Sequence, residues 1–313
     1  MRVFVAGATG VLGRPVLRLL RARGHEVVGL ARSEANVEVL QKLGAEPAGC
    51  DLFSPESLDA PIRACDAVLH LATAIPRRRR PRLRDFALND RIRTEGTQNL
   101  LAAALHCGVK RFVQQSIALL HWGEGDEWVD EDTPLCDHPL FTSAIEMERL
   151  VWQSHGLDGL STVILRGGWL YGPEATQARQ LFGALRSGLM PMAGSGDNYW
   201  SLVHSQDMAR ACVAAVEARR PSQLYLVVDD EPVRVRDLFA HVARAQHRRP
   251  PRRAPDWLVG LLAGRLVREL LQASFRCQNK RLKQELGWTP SFPTYREGVE
   301  AVLRAWSQEP AGR

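Results

Sequence analysis

The chain has 313 residues, 45% hydrophobic and 24% charged, with a formal net charge of +6 and a pI of about 9.2. That composition can bury a large core, and the length favours one large unit plus a smaller one over a single small domain. Six cysteines without Cys-x-x-Cys spacing indicate neither a disulfide framework nor a zinc site, and no other metal site is indicated. The longest apolar run, Trp257 to Gly264, is too short to span a bilayer, and no leader pattern opens the sequence, so a cytoplasmic location is expected.

Val3-Phe4-Val5-Ala6 predicts a buried strand, and Gly7-Ala8-Thr9-Gly10-Val11-Leu12-Gly13 follows it directly. Glycines at this spacing let a strand turn sharply into a helix and let the backbone approach a pyrophosphate. The N–H groups and positive end of the helix then face the anion. Leu12, Val16, Leu19 and Leu20 recur at helical spacing, Pro15 fits a first turn, and Gly24 supplies the stop. The stretch therefore reads as a nucleotide-binding turn.

Glu26 to Arg32 predicts a second strand whose end, in dinucleotide folds, holds the adenosine ribose. An acidic residue there selects NAD, whereas Arg32 suits a 2′-phosphate, so NADP(H) is favoured and NAD is the second choice. A short third strand runs into Cys50-Asp51-Leu52. Ser54-Pro55-Glu56 then predicts the capped start of a helix to about Ala64, and Ala67 to Ala72 is a fourth, nearly all-apolar strand.

Arg77 to Arg84 holds six arginines in eight residues. It reads either as a clamp for an anionic substrate or as a solvated loop. No aromatic residue interleaves it, which argues against a nucleic-acid surface.

A helical segment follows from Phe86 to His106, then strand Arg111 to Gln115, helix Phe141 to His155 and strand Ser161 to Arg166. The acidic loop Glu124 to Asp132 lacks calcium-loop spacing and reads as solvated. Beyond Tyr171 the alternation loosens. Gln206 to Ala218 predicts a helix and Leu224 to Val228 a strand returning to the sheet. The remainder is mostly helical, with an Arg/Pro-rich hinge at Arg248 to Pro255. The expected architecture is α/β: a doubly wound parallel sheet over residues 1–170, with 197–230 returning to it. A smaller, mostly helical substrate domain would comprise 171–196 and 231–313.

Several motifs in order carry a resemblance over nearly the whole chain: Gly7-x-x-Gly10-x-x-Gly13, Asp51-Leu52, His70-Leu71-Ala72, Gly96-Thr97-Gln98-Asn99-Leu100-Leu101, Arg111-Phe112-Val113, Leu165-Arg166 with Tyr171-Gly172-Pro173, Ser201-Leu202-Val203-His204 with Asp207, and Leu286-Gly287-Trp288-x-Pro290. The chain resembles the extended and atypical short-chain dehydrogenase/reductases, the NAD-dependent epimerase/dehydratases. The resemblance implies that Asp51 bonds the adenine, with Leu52 beside it, and that Leu71, Ala72 and Thr73 line the pyrophosphate and nicotinamide ribose. It also implies that Gln115 and Ser116 stand near the nicotinamide, and that the backbone of Gly167, Gly168 and Leu170 faces the carboxamide.

Family chemistry uses a Tyr-x-x-x-Lys pair on one helix, the lysine lowering the tyrosine pKa for proton exchange during hydride transfer. Aligned on Glu148, this chain has Phe141 and Ile145 at those places, with no lysine between Lys110 and Lys280. Ala118 falls at the place of the usual catalytic hydroxyl, and Arg93 where asparagine is common.

Ser116, His121, Tyr171 and His204 remain as polar groups at strand ends, each with a structural hydrogen-bonding role as the competing reading. Two functions follow. One is an NAD(P)-dependent oxidoreductase or epimerase-like enzyme acting on a small, possibly anionic substrate without the Tyr/Lys pair. The other is a catalytically silent NADP(H)-binding sensor or assembly partner. A homodimer is a further expectation.

Overall fold

Arg2–Ala6 (β1) is an interior strand of a seven-stranded sheet in the computed structural model, which describes residues 1–308 except Arg77, Arg79, Glu124 and Leu189, and the side chains of 256, 262 and 263. The other strands are Glu26–Ala31 (β2), Glu46–Gly49 (β3), Ala67–His70 (β4), Arg111–Ile117 (β5), Ser161–Gly167 (β6) and Leu224–Val227 (β7). Their order is β7-β6-β5-β4-β1-β2-β3, and every pairing is parallel. Parallel strands covered on both faces need apolar residues in succession, which is why Val3 to Ala6 and Ala67 to His70 are buried throughout.

Helices Gly13–Ala22 (α1) and Ser205–Glu217 cover one face, where Val16, Leu17 and Leu20 meet Val3, Val5, Leu69 and Met208. Thr97–His106 (α2) and Thr142–Gln153 (α3) cover the other, where Leu100, Ala104 and Val151 meet Phe4, Val68 and Phe112. A third apolar cluster joins Tyr171, Phe182 and Trp200 to Phe239 and Val242 of helix Val235–Ala245 and to Tyr295 and Val299 of helix Tyr295–Ser307. Thr294 and Glu297 form a reciprocal cap at the start of that last helix. Among the described residues, no helix is long and apolar enough to cross a membrane.

Three segments differ from the pattern the sequence suggests. The helix expected over 54–64 is a single 3₁₀ turn, Pro55–Ser57, and one α turn, Asp59–Ile62. Ser54 bonds the Glu56 carboxylate instead of capping a helix, and Pro61 has no N–H to continue one. The Arg248 to Pro255 stretch is tied down by strand Arg253–Ala254, which pairs with Met192–Ala193.

The segment 86–106 is helical but interrupted. Ala87–Arg91 passes through a π turn at Ile92–Gly96 before α2 begins. A π turn shifts the register of every side chain after it, and here it carries Arg93.

Candidate functional site

The order β3-β2-β1-β4 places a topological switch between β1 and β4, and a crevice opens at the carboxyl ends of the strands there. It has a volume of about 960 Å³, ample for a dinucleotide and a small substrate. Gly7, Thr9, Gly10, Val11 and Leu12 form one wall. Gly7 is in the left-handed region, φ +82°, and a Cβ there would lie 2.6 Å from the Ala72 nitrogen. At Gly13 a Cβ would lie 2.2 Å from the Gly7 carbonyl oxygen. Only glycine allows the turn to fold back on β4 and on itself.

Of the residues suggested by the sequence, Arg32, Asp51, Leu52, Leu71, Ala72, Thr73, Gln115, Gly167, Gly168 and Leu170 line the same crevice as the glycine turn. Ala8 and Gly13 are buried beneath the turn, outside the lining. Arg32 is exposed after β2, with Asn36 beside it on the lining, while Asp51 follows β3 and accepts the Phe53 amide at 3.1 Å.

The four proton-handling candidates lie outside the lining. Ser116 donates to Glu148 Oε1 at 2.6 Å, and Arg166 holds the same carboxylate from Nε (3.0 Å) and Nη2 (2.6 Å). Arg166 Nη1 is 2.8 Å from His121 Nε2. Arginine can only donate, so that ring nitrogen accepts and the imidazole is neutral. Burial, then the adjacent guanidinium, pushes His121 down to about 4.

Tyr171 donates to Asp229 Oδ2 at 2.9 Å and meets the His204 ring edge-on. Burial first, and then Asp229, pushes the Tyr171 hydroxyl up; burial also pushes Asp229 up and His204 down to about 4. Each candidate thus has a buried partner away from the crevice.

His70, inside β4, is likewise pushed down to about 4 by burial. An unfolded histidine titrates near 6.5, so between about 6.5 and 4 the unfolded chain binds more protons than the folded one. The stability of His70, His121 and His204 as neutral groups is complete above about 6.5 and is lost as pH falls towards 4. The melting temperature is therefore expected to fall steeply from pH 7 to pH 5. A flat profile over that interval would contradict the neutral assignment.

Beyond the glycine turn much of the lining is apolar, with Glu174, Thr176 and Gln177 among its polar members. Leu119, Leu140, Phe141, Trp169, Trp200, Leu270 and Phe275 make up the apolar part, and Trp169 and Trp200 have ring centroids 5.7 Å apart. Phe141 immediately precedes α3, with Ile145 one turn on. Among the described residues the lining contains no tyrosine, lysine, histidine or cysteine. Sequence reasoning missed most of this wall. Trp169, between Gly168 and Leu170, could have been placed from its neighbours, but Trp200, Leu270 and Phe275 arrive from segments whose approach depends on tertiary contacts.

The arginine run contributes no described residue to the lining. Arg78 pairs with Asp85 at 3.1 Å, while Arg77 and Arg79 lie outside the described residues. In the acidic loop, Asp126 pairs with Arg234 and Asp132 with Arg281, at 3.0 and 2.7 Å, and buried Glu131 accepts the Leu226 amide.

A family model described as "NAD dependent epimerase/dehydratase family" matches residues 3–227. A 3-diazoavenalumate denitrifying reductase of a Streptomyces species is 36% identical over 96% of this chain and 99% of that protein. A 4-hydroxy-2-methyl-3-oxo-4-farnesyl-3,4-dihydroquinoline-1-oxide ketoreductase of Stigmatella aurantiaca is 29% identical over 100% and 98%. The crystal structure of a human epimerase family protein, SDR39U1, with NADPH superposes with a TM-score of 0.80 over 97% of this chain and 99% of that one, at 23% identity. That likeness speaks to the fold.

Proposed function

The chain belongs to the NAD dependent epimerase/dehydratase family, and from that premise we propose that it is an NADPH-dependent reductase. It delivers hydride to an apolar, anionic acceptor whose reduction needs no proton from a tyrosine. The glycine turn would hold the pyrophosphate, Arg32 the 2′-phosphate, Asp51 the adenine, and Gln115 and Gly167 to Leu170 the nicotinamide end. Bound nicotinamide supplies the hydride, and the chain's own contribution is to orient the acceptor and exclude water.

The observation that carries the reading is the wall around Phe141. Reduction of a carbonyl leaves an alkoxide that must be protonated, and no tyrosine, lysine or histidine lines the crevice among the described residues. A diazonium carbon makes no such demand. Hydride brings the electron pair of a new C–H bond, the C–N bond breaks with its pair going to nitrogen, and dinitrogen leaves. Charge balances without a proton. The 36% identical reductase that denitrifies a diazo carboxylate supports this acceptor class. The aromatic wall of Trp169, Trp200 and Phe275 suits a flat, unsaturated body.

The test combines the protein with ring-deuterated NADPH and a carboxylated arenediazonium salt. NADPH oxidation above the protein-free rate, dinitrogen release and deuterium on the product carbon are expected. Arg32→Ala should weaken NADPH binding roughly tenfold, about 1.4 kcal/mol, and leave NADH binding unchanged. Turnover of ketones and not diazonium salts would replace the acceptor class. No turnover across both panels would favour the silent cofactor-binding reading. A cytoplasmic homodimer through α2 and α3 belongs to the same proposal, supported by the exposed Trp152 on α3.

A further inference from the structure

Among the described residues, three arginines line the crevice: Arg14, Arg32 and Arg93. Arg14 and Arg32 are exposed beside the glycine turn, with Arg14 Nε donating to the Thr9 carbonyl at 3.0 Å. Arg93 differs in every respect. It sits in the π turn and is only 7% exposed, and it reaches the first turn of α3, where its Nη1 donates to Ser143 Oγ. That bond is long, 3.4 Å, and Ser143 spends its own proton on Asp90 Oδ1 at 2.7 Å.

Among the described residues Arg93 makes no salt bridge, and the carboxylate of Glu148 is already taken by Arg166 and Ser116. A buried guanidinium with one neutral partner is costly unless something else supplies the counter-charge. The surroundings point the same way. Ser143 is two residues beyond Phe141, and the start of α3 has no side-chain cap, so its positive end adds to the field of Arg93. Desolvation lowers the affinity of Arg93 for its proton, and the charges of Asp90 and Glu148, neither in an ion pair with it, offset this only in part.

We propose that Arg93 is the substrate-anion site of the crevice. Its fork would take the carboxylate of an otherwise apolar acceptor in two parallel hydrogen bonds and set the acceptor's orientation against the cofactor. Phe141 and the tryptophan wall would take the apolar body. The inference deepens the proposed function, which leaves the anion without a partner, and it concerns recognition only.

The test is therefore made with ligands that cannot react. Benzoate and cinnamate are titrated into the NADP⁺-loaded protein against benzamide and cinnamamide, using quenching of tryptophan fluorescence. The wild type should bind at least one acid about tenfold or more tightly than its amide, the scale of one charge-assisted pair. Arg93→Met should abolish that preference while leaving amide and NADP⁺ affinities within about twofold, and Arg93→Lys should retain part of it. Without ligand, Arg93→Met should melt at or above the wild-type temperature, because it removes a charge short of partners.

Equal binding of acid and amide by the wild type, or a preference that survives in Arg93→Met, overturns the site. So does a loss shared by acid and amide with a lower melting temperature, which would make Arg93 structural. Because neither acid carries a diazo group, this experiment can succeed where the diazonium assay fails, and the reverse.

Discussion

Glu148→Gln is expected to destabilise the protein by about 3–5 kcal/mol, seen as a melting temperature lower by roughly 5–10 °C. Glu148, Arg166 and Ser116 are all at least 95% buried, and the carboxylate accepts from both others. A glutamine keeps the volume but presents an amide group to donors, leaving the guanidinium of Arg166 without its counter-charge in the interior. Breaking one side of such a pair costs far more than replacing both, so Glu148→Met combined with Arg166→Leu should recover much of the loss. The network joins β5 to β6 behind the crevice floor, where Gln115 and Gly167 line the surface. A single variant that melts within about 1 °C of the wild type would show that the network is not held as described.

Gly13→Ala should weaken NADPH binding by about 100-fold or more, equivalent to roughly 2.7 kcal/mol, as measured by fluorescence titration. The added Cβ would lie 2.2 Å from the Gly7 oxygen and 2.4 Å from the Ala8 oxygen, both backbone atoms that cannot swing aside. The turn must open and its N–H groups lose their aim. Gly49→Ala, where a Cβ meets nothing within 4 Å, is the control and should bind NADPH normally. Equal affinity in the two variants would separate the cofactor from the glycine turn. Gly13 does not line the crevice at all, so its effect would act entirely through backbone geometry.

Much of the glycine-turn side of the crevice could be read from residue order because its determinants are local. The apolar run Val3 to Ala6, the glycines directly after it and Arg32 at the end of β2 each act within a few residues of chain. The parallel sheet also follows from the alternation of strand and helix, and β7 returns to it where the sequence suggests. The helix expected over 54–64 failed where a local preference was outweighed, since Ser54 found Glu56 and Pro61 has no N–H to bond back to Ser57 and join the two turns.

The other half depended on groups far apart in sequence. Ser116, His121 and Tyr171 are polar residues near strand ends, and nothing in their spacing says whether they face the crevice. Partners 32, 45 and 58 residues away draw them from it: Glu148 holds Ser116, Arg166 holds His121, and Asp229 holds Tyr171. Arg93 likewise owes its exposure to the crevice to a π turn and to packing beside Ser143, 50 residues on.

The sequence by itself determined the strand–turn–helix unit, the parallel sheet and the placement of Phe141 at the start of a helix with Ile145 one turn on, because each rests on short-range backbone geometry and the burial of apolar side chains. Only the tertiary structure decided which polar side chains are consumed in buried pairs and which cation is left facing an apolar wall. That outcome depends on long-range partners and on the cost of leaving charge unpaired away from water.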